Sequence, residues 1–141
     1  MGAFIRADEI RREQFDWGVI GWRCTPGTTG ARQAVVMDVS ILPGAGHDFH
    51  RHPTQEELII VESGEVEQWL GEQSLVLGPG DSAYVDRGLV HASFNTTSET
   101  AHLRVVISPS VETATGYELE DVSAQQPWVS LRPQAGAGTP A

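Results

Sequence analysis

The stretch "GAGHDFHRHPTQEELIIVESG", residues 44–64, decides how this chain is read: it sets three histidines and two adjacent glutamates just ahead of an apolar run ending at Gly64. His50 and His52 are separated by a single residue. On an extended chain both imidazoles therefore point to the same face, which is a chelating arrangement. Glu57 heads the apolar strand, and period-two alternation puts Glu57, Ile59 and Val61 on one side and Glu56 on the solvent side. A carboxylate at the head of a row of core residues needs a partner, because burying it alone beside apolar side chains is costly. A metal ion is the economical partner.

Outward from this stretch the sequence breaks into short apolar or alternating segments punctuated by Gly and Pro, the pattern of an all-β sandwich or barrel. The strand candidates are 33–42, 56–62, 65–70, 73–77, 82–86, 90–95 and 101–108. Short connections at Ser63-Gly64 and Gly71-Glu72 suit tight hairpins and predict antiparallel neighbours. A closed or nearly closed sheet disposes of strand edges. Residues 8–16 admit a helical reading, although Ile10 and Phe15 are too few to define an apolar face. The expected organisation is an N-terminal extension over 1–30 that packs on the barrel or on a partner subunit, a barrel over 31–130, and a disordered Pro/Gly/Ala-rich tail over 131–141.

A second stretch, "GDSAYVDRGLVHASFN" at residues 80–95, carries Gly-Asp into a strand, turns at Arg87-Gly88 and opens the next strand at His91. Together the two stretches resemble the two motifs of the cupin superfamily. The first fits at Gly44, five residues, His50-x-His52, four residues, Glu57, six residues and Gly64. The second fits at Gly80, Gly88, His91 and Asn95, with Asp86 standing where the family usually has proline. The resemblance implies a double-stranded β-helix (jelly-roll) barrel in which His50, His52, Glu57 and His91 converge on one divalent metal. Three imidazoles and a carboxylate suit first-row transition metals rather than calcium or magnesium, with iron(II) placed first and manganese, nickel, cobalt and zinc as alternatives. Four protein ligands on a six-coordinate ion leave two positions for water, substrate or dioxygen, an arrangement for catalysis rather than for structure.

Composition narrows the partners. A net charge of −10 and a pI near 4.7 repel phosphate backbones, so nucleic acid is excluded as an expected partner. No apolar run is long enough to span a bilayer. The opening "MGAFIRADEIRREQ" lacks the apolar core of a signal peptide, which leads us to expect a cytoplasmic protein. The single Cys24 rules out an intramolecular disulfide and a thiolate-rich metal site.

Other residues surround this centre in the sequence. His47 and His102 read as surface or hydrogen-bonded histidines and stay outside the expected site. Ser93 faces the same way as His91 and leaves pocket room, and Gln68, taken as inward by similarity to cupins, is the expected polar contact for a substrate. Trp69 is then assigned to an interface, Arg104 to a solvated strand face, and Trp17 and Trp22 to packing or dimer contacts. The functional expectation is a metal-dependent enzyme acting on a small organic molecule as a quercetinase-like dioxygenase, with Glu57 also serving as a base. The alternatives are a lyase or isomerase using the metal as a Lewis acid, and a non-catalytic small-ligand-binding cupin. A homodimer is expected from the same resemblance.

Overall fold

In the computed structural model, which describes residues 1–132, two antiparallel sheets face each other. The strands are β1 (Arg11–Phe15), β2 (Gly18–Cys24), β3 (Val35–Ile41), β4 (Gly46–Arg51), β5 (Glu56–Ser63) and β6 (Val66–Leu70). They continue as β7 (Gln73–Leu77), β8 (Ser82–Val85), β9 (His91–Phe94), β10 (Ala101–Ser108) and β11 (Glu120–Asp121). Two single-turn helices, α1 (Pro26–Thr29) and α2 (Trp128–Leu131), complete the chain. The six-stranded sheet runs β1-β2-β3-β10-β5-β8 and the five-stranded sheet β11-β4-β9-β6-β7. From β3 to β10 the chain passes back and forth between the sheets, which is the winding of a double-stranded β-helix. The all-β, jelly-roll architecture read from the sequence is the one observed.

Alternation makes the core. Along β3, Val35, Met37, Val39 and Ile41 turn inward, and Leu103, Val105 and Ile107 of β10 and Ile59 and Val61 of β5 meet them there. Each such side chain, removed from water, contributes on the order of 1.5–3 kcal/mol. A second apolar cluster lies on the other face of the five-stranded sheet, where Phe49, Ala92, Phe94 and Val122 are covered by Trp69, Trp128 and Leu131.

Several expectations are corrected. Residues 8–16 are no helix: a 3-10 turn at Ala7–Glu9 leads into β1, which pairs along its length with β2. With few apolar positions and no tertiary face to bury, the segment takes its structure from its neighbour strand. Residues 11–24 therefore belong to the six-stranded sheet, where β2 is hydrogen-bonded to β3. The tight hairpin expected at Ser63-Gly64 is absent, because β5 pairs with β10 and β8 while β6 pairs with β7 and β9. Gly64 is where the chain crosses from one sheet to the other. It has φ +77°, and a Cβ there would come within 2.8 Å of the Ala101 Cα, so only glycine makes the passage without strain. The β6–β7 hairpin at Gly71-Glu72 forms as expected. Of the segment 131–141, Leu131 ends α2, and Arg132 pairs with Glu67 at 3.0 Å and lies 4.0 Å over the Phe94 ring. Residues 133–141 lie outside the described residues.

Candidate metal centre

His50 on β4, His52 just beyond it, His91 on β9 and Glu57 on β5 come together between the sheets. All four are buried. One ligand atom from each of His50, His52 and His91 lies within 4.8 Å of the others, so this group could hold a metal ion. Glu57 reaches it from the opposite sheet, with Oε1 2.7 Å from His91 Nε2 and Oε2 3.7 Å from His52 Nε2.

The orientation of the rings follows from their hydrogen bonds. Each Nδ1 faces a backbone carbonyl: Asp48 O at 2.6 Å for His50, Glu118 O at 2.6 Å for His52 and Leu89 O at 3.0 Å for His91. A carbonyl only accepts, so each Nδ1 carries the proton and each neutral ring keeps its Nε2 lone pair free. Backbone partners of this kind commonly fix the tautomer of metal-ligating histidines. Inside the site His52 Nε2, His91 Nε2 and Glu57 Oε1 are buried without a hydrogen-bond partner. Although His91 Nε2 and Glu57 Oε1 lie 2.7 Å apart, their geometry does not make a hydrogen bond. Buried polar atoms normally find partners. Three lone-pair donors left unpaired around one point fit a divalent cation.

The electrostatics agree. Burial pushes His50 well below the ordinary histidine value, and His52 is lowered by burial against the opposing pull of Glu57. Burial acts against charge on Glu57 and His91 as well, but their mutual attraction wins: Glu57 is lowered and His91 raised. The site is thus a buried negative charge beside two imidazoles, His50 and His52, that resist protonation and a third, His91, that Glu57 pulls the other way, a set of donors that a divalent ion satisfies together.

Supporting residues explain why the sequence folds this way locally. Gln55 is buried, and its side-chain amide donates to Pro109 O and Gly116 O while its carbonyl accepts from the Glu118 N–H. It ties the 109–118 segment to the motif, and that segment supplies the Glu118 carbonyl to His52 and Tyr117 to the cavity. Asn95 donates to Ile41 O and Glu99 O, fixing the turn after β9. Asp86, in the place of the family's proline, accepts from the Arg87 N–H at 2.8 Å and so shapes the turn by a different bond.

A cavity of about 30 Å³ adjoins three of the four residues, His50, Glu57 and His91. Its polar end carries His50, Glu57, His91 and Ser93, and its far wall is apolar, with Met37, Val39, Ile59, Leu103 and Val105. Ser93 lies where alternation put it. Gln68 is buried, as expected, yet it borders a separate cleft rather than this cavity, and its Oε1 accepts from Ser93 Oγ at 2.6 Å. Trp69 is half-buried: its indole donates to Glu67 and its ring packs edge-on to Phe49, beside the chain's own C-terminal segment. Arg104 forms ion pairs with Asp38 and Glu62 on the outer sheet face, and His102 contacts Ser40 there.

Three residues at the cavity were missed. His47 stacks on His50 with ring centroids 3.9 Å apart, and Trp17 stacks on His47 at 4.8 Å. Strict alternation sends residues 47 and 50 to opposite faces. The β4–β9 register slips between them, His47 opposing Ser93 and His50 opposing His91, so a bulge brings both rings to one side. Trp17 follows from the pairing of β1 and β2, and Tyr117 from the anchoring by Gln55. Neither leaves a local pattern that could have found it.

Residues 37–108 match the sequence profile of the cupin domain. No curated protein matches the chain significantly. Among solved structures, KdgF from Halomonas sp. superposes with a TM-score of 0.71 at 17% identity, covering 79% of this chain and 97% of that one. A predicted oxalate decarboxylase from Thermotoga maritima gives 0.69 at 18% identity, over 76% and 99% of the two chains. The polyketide cyclase RemF from Streptomyces resistomycificus gives 0.68 at 18%, over 93% and 99%. At these identities the likeness establishes the fold, and the profile match spans half of the chain. With both motifs in place around a buried three-histidine group, the chain belongs to the cupin family as a small single-domain member.

Proposed function

We propose that this protein is a metal-dependent enzyme acting on a small organic molecule, that iron(II) is its first expected metal, and that its chemistry is of the dioxygenase type. The observation that carries the reading is the group of buried lone pairs on His52, His91 and Glu57 without hydrogen-bond partners, beside a cavity with an apolar far wall. His50, His52 and His91 would hold the metal through Nε2, and Glu57 through its carboxylate. When bound, such an ion supplies Lewis acidity, redox reactivity and free coordination positions. Glu57 is also the group able to accept a substrate proton, and Ser93, with its hydrogen committed to Gln68, turns lone pairs to the cavity. The side chains of Met37, Val39, Ile59, Leu103 and Val105 keep water away from that end.

Tyr117 favours a second reading, a lyase or isomerase using the metal as a Lewis acid. Burial and the Glu57 charge raise its phenol, so it stays protonated as a proton donor lining the same cavity as the Glu57 carboxylate. A binding protein without turnover is the third reading. A homodimer and a cytoplasmic location belong to the same proposal, to be checked by light scattering and by cell fractionation.

The deciding experiment is elemental analysis of protein never exposed to chelator, beside His91→Ala, followed by anaerobic iron(II) loading and nitric oxide. Bound metal with a nitrosyl electron-spin signal, both lost in the variant, supports the dioxygenase reading. Bound metal without a nitrosyl adduct favours Lewis-acid chemistry. No metal in either protein after reconstitution sinks both enzymatic readings.

A further inference from the structure

We propose that the site admits an uncharged or cationic molecule with an apolar, ring-bearing body, and that it turns carboxylates and phosphates away. The inference rests on the small-molecule reading above and names the substrate class for it.

The inner cavity adjoins two outer hollows of about 210 and 350 Å³, and Trp17 and His47 border all three. The larger hollow has walls of Phe15, Trp17, Trp22, Tyr117 and Leu119, with Glu13 as its charged residue. The smaller one carries Asp48 and Asp121. No arginine borders any of the three, and the chain contains no lysine. The guanidinium groups around them already have carboxylate partners: Arg11 with Glu13 at 3.9 Å, itself a wall of the larger hollow, Arg51 with Glu120 and Arg23 with Asp38. An anion entering here meets Glu13, Asp48, Asp121 and Glu57 and no bordering arginine, on a protein of net charge −10. A bound metal would draw a donor oxygen to the inner end, but the rest of the molecule stays among aromatic walls and carboxylates.

The hollow also offers donors. The Trp17 indole N–H and the Tyr117 hydroxyl make no hydrogen bond among the described residues, which suits a neutral oxygen. The Trp17 ring is stacked on Phe15 at 5.3 Å and on His47 at 4.8 Å, a run of aromatic surface suited to a ligand ring. A dicarboxylate is the kind of molecule this entrance suits least, although a predicted oxalate decarboxylase shares the fold.

The test uses naphthol and naphthoate, which share a ring system and differ in charge at neutral pH, titrated calorimetrically into full-length metal-free protein. Naphthol is expected to bind about ten-fold more tightly than naphthoate, the gap narrowing with added salt. Trp17→Ala, checked for folding by circular dichroism, should weaken naphthol on the order of ten-fold. Asp121→Arg, at an exposed position, should raise naphthoate affinity towards that of naphthol, and it decides the matter if Trp17→Ala does not fold. Leu75→Ala, on the far cleft, should change neither. Equal binding of the two probes, no binding of naphthol, or insensitivity to both Trp17→Ala and Asp121→Arg overturns the proposal. Metal content of the same samples is measured separately, so failure of the metal reading is seen independently.

Discussion

Two hollows in this molecule contrast in size and in chemistry. The cavity beside the histidines has about 30 Å³, while the cleft bordered by β6, β7 and β8 has about 440 Å³. The buried polar side chain of the larger cleft, Gln68, is paired with Ser93 and the Trp69 carbonyl, Tyr84 bonds Glu56 and Asp86, and Gln73, Ser74 and Ser82 are exposed to water. The smaller one is bordered by an unpaired buried nitrogen of His91 and an unpaired carboxylate oxygen of Glu57, whose other oxygen lies 3.7 Å from the unpaired His52 Nε2. Space is available wherever two strand edges part, whereas leaving buried lone pairs unsatisfied costs roughly 1–3 kcal/mol each. The cost marks the site more surely than the volume does.

The most forceful way to break this comparison is to remove a histidine. His91→Ala should lower affinity for iron(II) or zinc by more than about 100-fold, beyond the loss usual for an outer-shell partner, while Gln73→Ala in the large cleft leaves it unchanged. Metal titration of both variants checks this, and equal loss in both would refute the contrast.

Gln55→Ala tests whether the unpaired state depends on remote anchoring. It strands Pro109 O, Gly116 O and the Glu118 N–H, with an expected stability loss of about 1–3 kcal/mol. It should also weaken metal binding by about 10–100-fold, because the carbonyl that orients His52 is released. Unchanged affinity in a folded variant would show that the segment is dispensable.

Acid should act on the small cavity and spare the large one. His47, lowered by burial to about 4, His50 and His52 all sit below the ordinary value of 6.5. Between those values the unfolded chain binds protons that the folded one refuses, so stability of the metal-free protein falls as pH drops from about 6.5 towards 4. Glu57, also lowered, adds a loss as pH falls through its folded value. His91 is raised and works in the other sense, its contribution fading as pH climbs through its folded value. Melting curves across this range, with and without metal, should show the acid loss and its reduction by bound metal. A flat metal-free profile would contradict it.

The smallest effect is expected at Asp86→Ala, an exposed position outside the metal-ligand group. Losing the bond to the Arg87 N–H should cost about 0.5–1.5 kcal/mol and leave metal affinity alone.

Much of the site was legible in the sequence. His50 and His52 share a face because side chains alternate along an extended chain, and Glu57 falls in line with Ile59 and Val61 for the same reason. Turn glycines and apolar alternation likewise announced an all-β fold, since both are local properties of a few consecutive residues. What local patterns could not settle was which sheet a strand joins: Ser63-Gly64 reads as a hairpin, yet β5 is paired to β10 and β8 and β6 to β9 and β7. Nor could they place His47, whose direction is reversed by a bulge arising from pairing with β9. Trp17 and Tyr117 reach the cavity through contacts between segments far apart in the chain. The sequence by itself determined the alternation that aligns His50, His52 and Glu57 and the turns that favour an all-β chain. Tertiary structure alone decided the walls and mouth of the cavity and the free state of the lone pairs, because register, bulges and carbonyl partners come from pairings between distant strands.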